Sequence, residues 1–302
     1  MSKVIVVGSL NMDTTLRVPH IPVPGETILA TGISSARGGK GQNQAVAMAR
    51  LGAKVEMIGA VGSDDDGDQT RSALMKDGVG VEGLFTKQVH TGIASIYLDD
   101  QSRNNIVVYP GANFELTAAD IRAVERLFDG ATYCVMQLEI PLPVIYHTLE
   151  LCHRKGITTI LNPAPAAPDF DWSYLKYVDY LVPNESELEL IAGEALTQSN
   201  LEALSLSLIN RGLQNILVTL GSRGSAFFSA SERFQVPALV VEAVDTTAAG
   251  DSFIGGFTTY LAEGKGVKEA MEFATKVAAI AVTKPGAIDS LPMRGEIEGE
   301  IQ

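Results

Sequence analysis

Short apolar runs alternate along this chain with segments whose apolar residues recur at helical spacing. The runs predict strands at 4–7, 55–58, 133–138, 158–161, 180–183 and 216–219. Helices are predicted between them, including 117–128 behind a capping-box sequence at Thr117 and 141–155 ending at Gly156. This alternation predicts an α/β fold of three layers, in which a mostly parallel central sheet carries helices on both faces.

Two segments of the N-terminal half interrupt the alternation. Residues 14–37 carry three prolines before a short strand-like stretch at 27–35, and 91–98 and 104–109 are strand-like runs joined by a turn-rich segment. Neither has a helix attached. We expect segments 14–37 and 91–109 to form a small β-sheet lid on a single domain spanning 1–302. The alternative is a pair of long surface hairpins.

The segment that ends at Asp251 carries the most chemical information. An apolar run at 238–244, predicted as a strand, precedes it, and a predicted helix at 252–261 follows. The small residues Ala248, Ala249 and Gly250 leave backbone amides bare at the helix N-terminus, where amides and helix dipole attract anions. A carboxylate base beside such an anion hole suits phosphoryl transfer to an alcohol. An ordinary strand-to-helix turn is the alternative.

A second glycine-rich segment, 38–43, leads into a helical pattern at 44–51. Glycines before a helix let the backbone approach a ligand, and Lys40 and Asn43 add a cation and an amide. The segment lacks the spacing and the Lys-Ser/Thr pair of a Walker A loop. A tight turn without a ligand is the alternative here.

Polar residues follow several predicted strands, at the sheet edge where open α/β sheets bind ligands. Asn11 and Asp13 follow the first strand and are placed to bind a polyol; Glu139 follows 133–138 and faces the same edge. Asn184 and Glu187 begin a helix, where a plain N-cap competes with a water-mediated Mg²⁺ contact. Taken singly, each of these residues is equally typical of a turn or cap.

The loop containing Thr219, Gly221 and Gly224 links two predicted strands. Its glycines would let a nucleotide lie flat against the backbone, or would simply close a hairpin. The sequence alone leaves both interpretations open.

Composition narrows the class of function. The chain has 302 residues, 46% of them hydrophobic and 20% charged, with a formal net charge of −13. This negative charge argues against nucleic-acid and anionic-membrane partners, although a nucleotide needs only a local positive field. Cys134 and Cys152 are interpreted as reduced core residues, and neither a signal peptide nor a membrane-spanning run is evident. We therefore expect a cytoplasmic protein.

The order of these motifs along the chain is more specific than any one of them. The chain resembles the PfkB-type carbohydrate kinase family, and within it the ribokinase group, from residue 4 to about 292. The segments 38–45 and 245–251 carry most of the resemblance. It implies a ribokinase-like fold and an ATP-dependent sugar kinase. The 38–44 segment favours D-ribose phosphorylated on its primary hydroxyl, with deoxyribose, a ketohexose or a nucleoside as alternatives and a non-catalytic sugar sensor as a further one.

The resemblance also implies individual roles. Asp251 would be the catalytic base, and Ala248, Ala249 and Gly250 the anion hole. The implied sugar ligands are Asn11, Asp13, Gly39, Lys40, Asn43, Glu139 and Asp251 itself. The implied ATP-binding residues are Asn184, Glu187, Thr219, Gly221, Gly224, Gly250 and Thr275. Thr275 stands where the family often has Asn or His, which leaves the preferred nucleotide open.

Two ions and a partner complete these expectations. Mg²⁺ would contact Glu187 through water. A monovalent cation, usually K⁺ in the family, would be bound by residues from two loops, namely Asp245, Thr247, Ala281, Gly286 and Ser290. The resemblance further implies a homodimer that pairs through the lid.

Overall fold

The computed structural model describes residues 2–101, 103–197 and 199–299, and these form two sheets and the helices that pack on them. The strands are β1 Lys3–Val7, β2 Asn11–Val18, β3 Gly32–Gly38, β4 Lys54–Gly62, β5 Gly80–Lys87, β6 Gly92–Asp99, β7 Asn104–Tyr109, β8 Ala131–Gln137, β9 Thr158–Asn162, β10 Tyr180–Leu181, β11 Asn215–Thr219, β12 Ser225–Ser229 and β13 Arg233–Val236. The α-helices are α1 Lys40–Arg50, α2 Asp65–Lys76, α3 Ala118–Ala123, α4 Leu142–Lys155, α5 Glu185–Ala192, α6 Leu201–Asn210, α7 Ala249–Ala262, α8 Val267–Val282 and α9 Arg294–Gly299. Short 3-10 helices lie at Gly111–Glu115, Glu125–Phe128, Trp172–Tyr177, Gly221–Arg223 and Ile288–Ser290.

The larger sheet has the strand order β13-β12-β11-β10-β9-β8-β1-β4-β5. Its strands from β11 to β5 pair in parallel, whereas β12 and β13 are antiparallel additions at one edge. All six strands predicted from apolar runs are present, with ends shifted by a few residues. The predicted mostly parallel central sheet is confirmed.

Alternation along β1 shows how the sheet divides the core into two layers. Ile5 and Val7 belong to a buried cluster that includes residues of α3, α4, α5 and α6. Val4 and Val6 belong to a second cluster built with α1, α2, α7 and α8. Successive side chains of a strand point to opposite faces, so both faces of β1 are covered by helices. The predicted three-layer α/β/α arrangement is therefore confirmed.

The smaller sheet has the order β3-β2-β6-β7 and stands at the carboxyl end of β1. It confirms the predicted lid sheet, with β7 at the predicted residues. The strand expected at 27–35 lies instead at Gly32–Gly38, and β2 was missed. β2 carries mostly polar residues and has no apolar run, so its pairing with β3 and β6 determines its structure.

Two further predictions need correction. The helix expected at 117–128 does begin at a Thr117–Asp120 capping box, but α3 ends at Ala123 and a 3-10 helix follows. The strand expected at 238–244 is wrong, since this segment pairs with no described strand. Val240 is fully exposed there, and Leu239 and Val244 are at least half exposed. An apolar run forms a strand only where a neighbouring strand can satisfy its backbone hydrogen bonds.

Two adjacent glycines let α7 pack closely against α1 and α8. A Cβ on Gly255 would lie 2.5 Å from the Ala47 Cβ of α1, and one on Gly256 would lie 3.0 Å from the Ala274 Cα of α8. The first distance is too short for real atoms and the second is tighter than ordinary contacts, so a side chain at either position would strain the packing of α7. The start of α7 is thereby held beside the start of α1. No helix in the described ranges is long and apolar enough to cross a membrane.

Candidate active site

Asp251 lies in the first turn of α7 and is held by two side chains of α1. Its Oδ2 accepts a hydrogen bond from Asn43 Nδ2 at 2.8 Å, and its Oδ1 accepts one from Gln44 Nε2 at 2.9 Å. The Asp251 residue is 7% exposed. The two motifs that were separated by about two hundred residues in sequence therefore meet at a single carboxylate. The two motifs are therefore in direct contact in the folded chain.

Buried amide side chains continue from Asp251 into the sheet. Gln44 also donates to Asn162 Oδ1 at 3.3 Å, and its Oε1 accepts from Gln137 Nε2 at 2.6 Å. Asn162 in turn donates to the Val182 carbonyl at 3.0 Å. Because the carboxylate only accepts, it fixes which end of the Gln44 amide faces it. Gln137 and Asn162 were not singled out from the sequence; their positions at the ends of β8 and β9 were the available signal.

The N-terminus of α7 is shaped to receive an anion. Ala248 precedes it with a φ of 59°, a conformation that non-glycine residues rarely adopt. The Ala249 amide donates to the Thr246 carbonyl at 3.2 Å. The amides of Ala248 and Gly250 donate to no acceptor in the described part of the chain, and a Cβ on Gly250 would meet open space. Two of the three predicted amides are thus free for a ligand, close to the positive end of the helix dipole.

Lys40 is the cation at the centre of the site. Burial by itself lowers the pKa of its ammonium group, but nearby carboxylates outweigh burial and raise the pKa above its usual value. In decreasing order of effect, these carboxylates belong to Asp251, Glu139, Glu187 and Asp13. The ammonium therefore stays charged at neutral pH. Residues from β2, α1, α5, α7 and the end of β8 are gathered around one positive charge.

Glu139 binds the backbone where the glycine-rich segment enters α1. Its Oε2 accepts from the Lys40 amide at 3.1 Å and from Ser9 Oγ at 2.5 Å. Ser9 Oγ also accepts from the Gly41 amide at 3.3 Å. Ser9 is fully buried and was overlooked in the sequence, although it lies directly after β1. Glu139 is therefore engaged in part with the protein itself, and it retains acceptor capacity toward a ligand.

The glycines of the 38–41 segment are required by close backbone approach. Gly39 has a φ of 87°, and a Cβ there would lie 2.9 Å from the Asn11 amide nitrogen. A Cβ on Gly41 would lie 2.6 Å from the Ser9 nitrogen. Side chains at these positions would push α1 away from the end of β1. The tight turn is therefore present, and the ligand site at this segment stays a prediction.

Asp13 is desolvated and lies over a glycine. A Cβ on Gly38 would fall 2.1 Å from Asp13 Oδ2, and Asp13 Oδ1 is buried without a hydrogen-bond partner in the described residues. Burial raises the pKa of the Asp13 carboxyl to about 7, the Glu139 carboxylate adds to the rise, and Lys40 opposes it. An unpaired buried carboxyl is costly, which indicates that a ligand hydroxyl belongs beside it.

Asn11 begins β2 and is 5% exposed. Its Oδ1 accepts a hydrogen bond from Asn113 Nδ2 at 2.8 Å, while Asn113 also bonds both backbone groups of Leu10. No residue in the described ranges accepts a hydrogen bond from Asn11 Nδ2. Asn113 lies in the 3-10 helix after β7 and was missed in the sequence, because a short polar turn there looks unremarkable.

Asn184 and Glu187 form a capping box at the start of α5. Asn184 Oδ1 accepts from the Glu187 amide at 2.8 Å, and the two Glu187 oxygens accept from Asn184 N and Nδ2, each at 2.9 Å. Burial raises the pKa of Glu187, while the Asn184 hydrogen bond and Lys40 oppose the rise. The N-cap interpretation is correct for the chain alone, and Glu187 also contributes to the charge around Lys40.

The loop from Thr219 to Gly224 is a turn between antiparallel strands β11 and β12. Gly221 and Gly224 have φ values of 56° and 91°, and a Cβ on Gly224 would lie 2.0 Å from the Val236 carbonyl oxygen. A Cβ on Gly221 would meet open space. Gly224 is therefore required by close packing in the fold, whereas Gly221 borders open space. Thr275 is buried in α8, where its hydroxyl donates to the Met271 carbonyl at 2.9 Å.

The loops proposed for a monovalent cation are joined through Asp245. Its Oδ1 accepts from the Thr247 amide at 2.8 Å and its Oδ2 from the Gly286 amide at 2.9 Å. Burial would raise the pKa of Asp245, but these hydrogen bonds outweigh it and the net pKa is lowered. The Asp245 amide donates to the Val282 carbonyl, which lies next to Ala281 at the end of α8.

Ser290 approaches the same loops from a 3-10 turn. Its hydroxyl donates to the Ala287 carbonyl at 2.8 Å, and Arg50 holds this turn through the Ile288 and Leu291 carbonyls at 2.7 and 2.9 Å. An ionised carboxylate, hydroxyls and carbonyls are the hard oxygen donors that alkali cations prefer. Among the described residues, no group of three or more His, Cys, Asp or Glu could hold a metal ion.

Comparison with known proteins identifies the family of the chain. A model of the "pfkB family carbohydrate kinase" matches residues 1–294. The chain is 40% identical to the ribokinase of Schizosaccharomyces pombe over 311 residues, covering 99% of this chain and 98% of that protein. It is also 39% identical to the deoxyribokinase of Salmonella typhi over 294 residues, covering 96% of this chain and 95% of that protein.

The fold agrees with solved structures as well. The structure of Arabidopsis thaliana ribokinase complexed with ribose and ATP superposes with a TM-score of 0.90 at 30% identity. The match covers 99% of this chain and 98% of that chain. Both sheets and the helices on either side of the larger sheet therefore have counterparts in a structure that holds a sugar and a nucleotide.

Asp13→Asn is predicted to stabilise the protein at high pH while weakening binding of a hydroxyl ligand. A carboxyl whose folded-state pKa is raised from 3.8 to about 7 binds its proton more tightly in the folded than in the unfolded chain. The free energy of unfolding therefore falls as pH rises from about 4 through 7. Removing the charge with Asp13→Asn should raise the free energy of unfolding by up to about 4 kcal/mol at pH 8 and by almost nothing near pH 4.

Urea denaturation at pH 4.5 and pH 8 measures this difference. Asp169→Asn, the same change at an exposed carboxylate, is the matched control and should show little dependence on pH. Equal effects of Asp13→Asn at both pH values would contradict the raised pKa.

Proposed function

The chain belongs to the pfkB family of carbohydrate kinases, and we propose that it transfers the γ-phosphoryl group of ATP to the primary 5-hydroxyl of D-ribose. The products would be ribose 5-phosphate and ADP. The observation that carries this proposal is the pair of hydrogen bonds by which Asn43 and Gln44 hold the Asp251 carboxylate. They hold a carboxylate at the start of α7 against the segment proposed to bind sugar, which supports the proposal.

Asp251 would act as the base toward the sugar hydroxyl. In the structure its Oδ2 is occupied by Asn43, whose amide is also a proposed sugar ligand. A hydroxyl entering between them would donate to the carboxylate and accept from the amide. Since a carboxylate is a weak base for an alcohol, most of the proton transfer would come late, after the bond to ADP has loosened.

The positive groups of the site would stabilise the transferring phosphoryl group. The Lys40 ammonium would supply positive charge, and the amides of Ala248 and Gly250 are held in place by the start of α7, so they would need little reorganisation. Bound Mg²⁺ would neutralise phosphate charge. Glu187 would contact it through water, because both of its carboxylate oxygens already accept hydrogen bonds within the α5 cap. The nucleotide would lie along the Thr219–Gly224 turn.

The proposed identity of the sugar rests on two carboxylates of the site and on the relatives of the chain. Asp13 and Glu139 provide acceptors for several hydroxyls, which suits a polyol and leaves its stereochemistry open. The 40% identical protein is a ribokinase, whereas a 39% identical one is a deoxyribokinase. Deoxyribose is therefore the second candidate. A sugar sensor without catalysis is disfavoured because Asp251, Lys40 and the free amides of α7 are all in place.

We also propose that the chain acts as one domain whose lid sheet closes over the sugar and pairs with a second copy. β7 lies at the edge of the lid and exposes Ile106, Val107 and Val108 by half or more, and Ile33 on the opposite edge strand is 72% exposed. Exposed apolar side chains on the small lid sheet favour burial of that sheet against a partner. Closure would exclude water and suppress ATP hydrolysis.

The K⁺ proposal rests on the Asp245 loops. Asp245, Thr247, Ala281, Gly286 and Ser290 would supply the oxygen donors. Two hydrogen bonds link their segments, one from the Gly286 amide to Asp245 and one from the Asp245 amide to the Val282 carbonyl. The loop that carries Asp245 and Thr247 continues directly into Ala248 and the start of α7. A bound cation would therefore steady the free amides that receive the phosphoryl group.

Asp251→Asn should lower kcat by roughly 10²–10⁴-fold, because it removes the base while keeping a side chain of nearly the same size and shape. ADP release with D-ribose, 2-deoxyribose and fructose measures both the activity and the choice of sugar. D-ribose should give the highest kcat/KM, and ATP binding by the variant should be nearly unchanged.

Asp68→Asn removes an exposed carboxylate from α2 and serves as the control, with kcat within about twofold of the unaltered protein. Near-normal turnover by Asp251→Asn would contradict the base assignment. Absence of ADP release with all three sugars would contradict the proposed function.

Replacing Na⁺ by K⁺ at constant ionic strength should raise kcat severalfold, and Asp245→Ala should abolish the difference between the two ions. The variant loses the carboxylate that joins the two loops. Steady-state ADP release in KCl and NaCl provides the measurement. An Asp245→Ala enzyme that still distinguished K⁺ from Na⁺ would refute this cation site.

A further inference from the structure

Three chain segments of the lid meet at one buried hydrogen bond. β2 begins at Asn11, β6 begins at Gly92, and Asn113 follows β7 in the 3-10 helix. Asn11 and Gly92 are directly paired in the β2–β6 register. This cluster, which we call the lid root, contains Asn11, Gly92 and Asn113. It joins the smaller sheet to the end of β1.

Asn113 has no freedom to turn its amide. Its Oδ1 accepts from the Leu10 amide at 2.9 Å, and its Nδ2 donates both to the Leu10 carbonyl at 3.1 Å and to Asn11 Oδ1 at 2.8 Å. Exchanging oxygen and nitrogen would set donor against donor and acceptor against acceptor. Asn113 is 2% exposed, so water would not relieve such a mismatch.

The fixed Asn113 amide in turn determines which end of Asn11 faces the site. Asn11 Oδ1 must point to Asn113, so Asn11 Nδ2 is the end that faces the site. None of the described residues accepts from it. Gly92 packs directly on this pair, because a Cβ there would lie 2.2 Å from Asn11 Oδ1 and 2.3 Å from Asn113 Nδ2. The hydrogen bond from Asn113 therefore fixes the orientation of the Asn11 amide, and the backbone of Gly92 packs against the same pair.

We propose that Asn113 is a positioning residue for the sugar, which keeps the Asn11 amide turned so that it donates to a sugar oxygen. This inference rests on the proposed sugar kinase function. Asn11 would then supply a donor where neighbouring Asp13 supplies an acceptor, and a hydroxyl group can satisfy both at once. A sugar lacking that hydroxyl would leave both groups unpaired, so the pair favours an oxygen-rich sugar over a deoxy analogue.

Asn113→Asp tests this role, because the carboxylate retains the shape but cannot donate to Asn11 Oδ1. Asn11 should then turn its Nδ2 toward residue 113 and present its oxygen to the sugar. Calorimetric titration should show the Kd for D-ribose rising about 10- to 100-fold, the cost of one mismatched hydrogen bond in a closed site. The KM for ATP should stay within about twofold.

Asn105→Asp is the matched control, since it makes the same change of charge at an exposed position of β7. Gly92→Ala is the second variant and disturbs the pair from the opposite side without adding charge. It should also raise the Kd for D-ribose. A purely structural role of the lid root would lower the unfolding temperature in both variants and leave the Kd of the folded protein unchanged, which would overturn the inference.

The decisive comparison uses Asn11→Ala as background. If Asn113 acts through Asn11, Asn113→Asp should weaken ribose binding less than about twofold once the Asn11 amide is gone. Full additivity of the two substitutions would overturn the positioning role while leaving the proposed function intact. Failure of the unaltered protein to bind ribose would instead refute the proposed function, and with it this inference.

Discussion

The contact between α1 and α7 is the constraint on which the rest of the site depends. Gly255 lets α7 approach Ala47 so closely that any side chain would collide, and this brings the starts of the two helices together. Asn43 and Gln44 can then reach Asp251 across a gap of one hydrogen bond. One helix carries the proposed sugar-binding segment and the other carries the free amides. Their packing would therefore assemble the proposed two-substrate site from distant parts of the sequence.

Burial and neighbouring charges determine the protonation of the side chains in this site. Lys40 is buried, yet surrounding carboxylates keep it protonated, while Asp13 remains desolvated with a pKa of about 7. The folded chain therefore holds an unpaired carboxyl and free helix amides at some cost in stability. A sugar hydroxyl would satisfy the carboxyl, and a phosphate would satisfy the amides. Unpaired groups of this kind are expected where ligand binding matters more than the stability of the free protein.

The fold and the position of the site were largely predictable from the sequence, because buried parallel strands are continuous apolar runs and ligand residues follow their ends. Prediction failed where contacts with residues distant in sequence decide the local structure. The polar strand β2 exists because neighbours pair with it, and the apolar run at 238–244 stays unpaired on the surface. Ser9, Gln137 and Asn113 were missed because their roles arise from partners far away in sequence.

The most direct test of this account is kcat for Gly255→Ala alone and combined with Ala47→Gly. The single change adds a Cβ that would lie 2.5 Å from Ala47 Cβ, so it should separate the helices and lower kcat at least tenfold. The double variant removes the opposing Cβ and should regain most of the loss, whereas Gly295→Ala, at an open helical position, should have no effect. Unchanged kcat in Gly255→Ala, or a loss that Ala47→Gly does not relieve, would contradict the account.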